Sequence, residues 1–139
     1  MTAPTSASPI HIIDSEYVPG ACNIGPWEIR RRRASGVVAI AIGVVGLALM
    51  LAVGAPVLLR LVLILPFWGG VLSWLQARRR FCAGFAMAGI ANFGEGESTR
   101  RHVEDSAAHR QDLLAVARMT RDAFLVALAM TVVAVLLPA

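Results

Sequence analysis

From Ala34 to Leu59 the chain carries no charged residue, and from Leu61 to Ala77 it carries none again. A helix needs about 20 apolar residues to cross a bilayer, and each stretch comes close to or exceeds that length. Arg30, Arg31, Arg32 and Arg33 precede the first stretch, and Arg78, Arg79 and Arg80 follow the second. Between them Gly54-Ala55-Pro56 breaks the pattern, and Arg60 is the single charge. This is the signature of a membrane hairpin whose two ends lie on the same side.

The rest of the composition agrees. Of 139 residues 57% are hydrophobic and only 16% are charged, and the mean hydropathy is +0.66. A soluble domain is about 25% charged. The formal net charge is +4, but the arginines flank apolar spans, so the expected partner is an anionic lipid surface rather than nucleic acid. Four arginines precede span one, one lies between the spans, and eight separate span two from the C-terminal apolar run. The positive-inside bias therefore places the N-terminus in the cytoplasm of a multi-pass protein of the bacterial inner membrane.

The expected fold is an all-α integral membrane protein. Residues 1–25 read as an extended tail rich in Pro, Ser, Thr and Ala, with an apolar patch at Ile10, Ile12 and Ile13 that would need a neighbouring subunit to order it. Residues 26–77 form the hairpin. Pro26 suits the first helical position and Glu28 the positive end of the first turn. Gly36, Ala39, Gly43 and Gly46 give span one a small-residue face for close helix packing. Arg60 sits one turn inside span two, from where it would extend to the outer interface. Pro66 and Gly69-Gly70 are expected to make the middle of span two irregular. Residues 78–97 form a short apolar interfacial helix and a linker. Residues 98–139 form an amphipathic helix, capped by Ser98 or Thr99, with Val103, Ala107, Leu114 and Ala117 on its apolar face. It continues into a short third membrane helix from Ala123.

Three constellations are candidates for chemistry. His102, Asp105, His109 and Asp112 repeat His-x-x-Asp and would form one helix stripe able to hold a divalent metal, or else a solvated face. Cys22 and Cys82 fall at a similar membrane depth and would meet as a metal or redox pair, or serve as two small buried hydrophobes. Trp68, with Phe67, lies near mid-bilayer, where it packs on span one or meets a pigment or quinone. No phosphate loop, zinc-protease motif or nucleophile elbow occurs, and the spans hold no mid-depth carboxylate, histidine or lysine of the kind that proton and ion paths use. The expected role is a non-catalytic accessory subunit of a larger membrane complex, respiratory or photosynthetic, with bound lipid and no cofactor of its own. The alternatives are a small redox or metal-binding membrane protein and a homo-oligomeric channel or transporter.

Overall fold

In the computed structural model, residues 16–138 are described, so most of the tail, with its Ile10, Ile12 and Ile13 patch, lies outside the described residues. Three long helices dominate. Helix α1 spans Pro26–Ala52, α2 spans Ile64–Arg79 after a 3₁₀ segment at Val57–Leu63, and the last helix spans Ser106–Leu136. A short helix α3, Ala83–Met87, and two strands, β1 at Ile90–Asn92 and β2 at Arg100–His102, lie between them, so the last helix is α4. All three long elements are long and apolar enough to cross a membrane.

Helix α1 begins with Pro26 at its start and Glu28 in its first turn, and it runs unbroken through the four arginines. It ends in a Schellman motif: Gly54, at φ +62°, donates to Leu51 O, and Ala55 donates to Met50 O. This left-handed position favours glycine, and Pro56 then prevents the helix from continuing. The second span departs from expectation in where it is irregular. The α-helix passes through Pro66 and Gly69-Gly70 intact, and the distortion lies before Pro66, in the 3₁₀ segment. Pro66 is the third residue of α2, a position whose N–H has no intrahelical partner in any case, so the ring is accommodated there.

The hairpin is zipped by small residues. A Cβ at Gly36 would come within 3.0 Å of Gly70 O, one at Gly43 within 2.5 Å of the Phe67 ring, and one at Gly46 within 3.3 Å of Leu63. Ala39 is half-buried on α1. The small face of span one is thus used inside the chain. Helix α4 lies antiparallel to α2 and presents a small-residue stripe of its own, Ala123, Ala127, Thr131 and Ala134, all buried. The core between them contains Leu63, Phe67, Ala127 and Ala134 toward the α1–α2 turn, and Phe81, Ala83, Ala86 and Met119 toward the arginine-bearing end.

The connection between α2 and α4 adds a small two-stranded hairpin to a chain that is otherwise helical, as expected. The interfacial segment is only partly helical. Its second half is β1, which pairs antiparallel with β2 in the register Ala91↔Arg101, and Gly94–Glu97 forms part of the hairpin loop rather than a free linker. Arg100–His102, expected to be helical, are therefore strand. Neither Ser98 nor Thr99 caps a long helix; the cap is Asp105, whose carboxylate accepts from Ala107 N at 2.9 Å. Three-residue strands carry too little alternation to be distinguished from a loop in the sequence.

Candidate functional site

The described polar side chains gather at two levels. At the arginine-bearing end of the bundle, the string Cys22-Asn23-Ile24-Gly25-Pro26 meets the string Asn92-Phe93-Gly94. Ile24 forms a parallel bridge with Asn92, and Gly25 donates to Asn92 O at 2.8 Å. A Cβ on Gly25 would collide with the backbone carbonyl of Phe93, so only glycine permits this approach. Asn23 is fully buried and saturated. Its amide donates to Cys82 O at 3.0 Å and accepts from Cys82 N at 2.6 Å; its backbone donates to Arg80 O and accepts from Asn92 N. Asn92 does the same for its own loop, donating to Gly96 O and accepting from the Thr99 hydroxyl. Gln76 accepts from Ala83 N at 3.1 Å and holds the turn after α2. These amides replace the ladders that loop backbone lacks when it is buried.

The proposed metal stripe is not a stripe. His102 is exposed on β2, Asp105 caps α4, and only His109 and Asp112 lie on the helix proper. Asp112 is fully buried, where it accepts from the Tyr17 hydroxyl and from Gly20 N, both at 2.7 Å. It fastens the N-terminal segment to α4. Burial first, and then the hydrogen bond to Asp112, push the Tyr17 phenol well above its ordinary range. The His109 Nδ1 is enclosed without a partner among the described residues, and the ring faces Gly89. Among the described residues, no group of three or more His, Cys, Asp or Glu side chains is placed to hold a metal. The apolar face expected at the start of α4 is also displaced. Ala107, Leu114 and Ala117 are exposed, and the buried face is Ala108, Asp112 and Met119, because the N-terminal segment covers Asp112 and the short helix α3 with Phe81 covers Met119.

Cys22 and Cys82 are both free. The Cys82 side chain is fully buried, and its Sγ accepts from Arg32 Nη2 at 3.1 Å. Cys22 is half-buried, and burial pushes its thiol up against the opposing effects of the Ile24 backbone and Arg80. Phe67 is 2% exposed and fills the hollow left by Gly43. Trp68 stacks edge-on against Phe124 with ring centroids 5.9 Å apart, and its Nε1 has no partner among the described residues. Both aromatic rings therefore contribute packing between helices. At the start of α1, Arg31 lies over the Trp27 ring at 4.7 Å and 3.6 Å from the buried Glu28 carboxylate. Arg30–Arg33 and Arg78–Arg80 share this end because α1 starts there and α2 stops there.

At the opposite end, beside the α1–α2 turn, stands Arg60. It does not reach out to the interface. Its side chain is 0% exposed, and Nη1 donates to Leu137 O at 2.7 Å and to Ala134 O at 3.3 Å. Nε and Nη2 have no partner among the described residues. The apolar end of α4, residues 123–136, extends about 21 Å, short of a 30 Å hydrocarbon layer. Arg60 lies about 8 Å below the hairpin turn, given some 2 Å per 3₁₀ residue. The third helix ends against Arg60, whose guanidinium meets its last carbonyls. A helix C-terminus has orphan carbonyls and a negative dipole, and the guanidinium serves both. A charge near an outer turn suggests an interfacial role when read alone; only the docking of α4 reveals this one.

The chain matches no protein-family model, no curated protein and no solved structure.

Proposed function

We propose that this chain is a non-catalytic accessory subunit of a larger complex in the bacterial inner membrane, with its N-terminus in the cytoplasm. The observation that carries the reading is the one-sided packing of α1. Within its most apolar window only 11% of the residues are buried in the bundle, and Val37, Val38, Ile42, Val45 and Leu49 all face outward. Such a face accepts lipid or neighbouring helices equally well, because neither contact exposes apolar surface to water. The buried amides and carboxylates add support. Asn23, Gln76, Asn92 and Asp112 all tie one segment of this chain to another, which is the work of a scaffold. The arginine clusters at one end of the bundle support this orientation through the positive-inside bias.

Extraction of native membranes into nanodiscs or a mild detergent tests the reading. Stoichiometric co-purification of other membrane proteins is expected. A lone species at the 14.8 kDa chain mass would overturn it.

A further inference from the structure

A cleft of about 350 Å³ opens at the inner end of the bundle, between the N-terminal segment, the end of α2 and the middle of α4. Its size falls within the range of small-molecule sites. Its lining is divided by polarity. Phe81 and Met119, 2% and 1% exposed, form the apolar floor with Ala115, while Arg79 and Arg118 stand at the rim. Arg79 is 46% exposed and reaches Asp122 at 3.0 Å; Arg121 takes the other oxygen of that carboxylate at 2.9 Å. Arg118 uses only Nε, in a bond to Leu114 O of its own helix at 3.3 Å. Arg79 and Arg121 thus share a single carboxylate, Arg118 adds a further cation, and the rim carries surplus positive charge.

The cleft lies one helical turn inward of Ala123, where α4 becomes uniformly apolar. Seven residues on from Arg118 and Met119, the same face of α4 continues as Leu125 and Val126, 55% and 48% exposed. An occupant therefore meets cations at the headgroup level and an apolar track running toward the opposite leaflet.

We infer that this cleft binds one anionic phospholipid of the inner leaflet. Its phosphate lies between Arg79 and Arg118, its glycerol region lies over Phe81 and Met119, and an acyl chain follows Leu125 and Val126. Basic clefts between helices on the cytoplasmic side suit such headgroups. A choline headgroup would bring its own cation against the surplus arginines, so the site discriminates against zwitterionic lipid. The inference requires the bundle to lie in a bilayer, and it is independent of any partner subunit.

The full chain, delipidated in detergent, is titrated with phosphatidylglycerol, phosphatidylcholine and glycerol 3-phosphate and read by native mass spectrometry. One phosphatidylglycerol per chain is expected, held at least about 10-fold more tightly than phosphatidylcholine, with no retention of glycerol 3-phosphate. Arg118→Gln is expected to weaken it about 5- to 10-fold, since one surface arginine contributes about that factor. Ala115→Leu, which fills the floor, is expected to weaken it too, and Arg101→Gln on β2 to leave it unchanged. Equal melting temperatures for wild type and Arg118→Gln separate lost binding from misfolding. Undiminished binding in Arg118→Gln, equal retention of phosphatidylcholine, or retention of glycerol 3-phosphate as tight as that of the lipid would each overturn the inference. Sedimentation of the chain with membranes reads the bilayer premise separately.

Discussion

Replacing Arg60 with methionine keeps an unbranched side chain of similar reach but removes the guanidinium. Two donated bonds disappear, to Leu137 O at 2.7 Å and Ala134 O at 3.3 Å. Bonds from a charged donor contribute about 1.5–3 kcal/mol each. Against this loss, the substitution removes a fully buried cation with two unpartnered nitrogens. An unsatisfied buried group costs about 1–3 kcal/mol, and a desolvated charge several more. The two sides are of similar size, so the global melting temperature is expected to move by only a few degrees. The local effect does not cancel, because the last turn of α4 loses its cap while the relief accrues to the 3₁₀ segment. Losing one bond of about 1.5–3 kcal/mol corresponds to opening that is about 10- to 150-fold more frequent. Hydrogen exchange in nanodiscs, followed on peptides covering residues 130–137, reads this directly. Arg60→Lys, with a single ammonium, is expected to fall between the two. Unchanged exchange in Arg60→Met would refute the capping role. A collapse of the whole bundle would refute the balance of terms.

Other consequences are as specific. Gly25→Ala pushes a methyl into the Phe93 carbonyl and is expected to lower the melting temperature sharply. Gly69→Ala meets nothing within 4 Å and is expected to be neutral or to stabilise α2 by about 0.5–1 kcal/mol, so a common response of the two glycines in thermal denaturation would refute the packing argument. Tyr17→Phe removes the bond to Asp112 and is expected to raise the rate of protease cutting in the N-terminal segment about 10-fold. Because the folded phenol titrates above its unfolded value of about 10, its contribution is complete below that pH and is lost only above it; wild-type digestion, with a protease of flat activity, is expected not to change between about pH 7 and 9. Maleimide labelling of the folded chain is expected to leave Cys82 unmodified and to modify Cys22 slowly, with unfolding exposing both; rapid native labelling of Cys82 would contradict its enclosure.

Charge-free length and flanking arginines by themselves determine the hairpin, the third apolar helix and the common side of the arginine clusters, because the cost of placing charge in hydrocarbon is a local property of the chain. Pro26, Glu28 and the Gly54-Ala55-Pro56 stop were equally legible, since helix ends depend on a few adjacent residues. The small face of α1 was visible too, but not that its partner is α2, nor that Ala123, Ala127 and Thr131 repeat the device on α4. Tertiary structure alone decided what the polar residues do. Asp112 sits on a face that reads as solvated until Tyr17 and Gly20 arrive from almost a hundred residues away. Asn23 and Asn92 are ordinary polar residues until their loops meet. Arg60 is an interfacial arginine until the end of α4 is laid against it. Hydrophobic patterning is summed along the sequence, whereas a hydrogen bond requires two groups at one point in space. Spans can therefore be read from one chain segment at a time; caps and latches cannot.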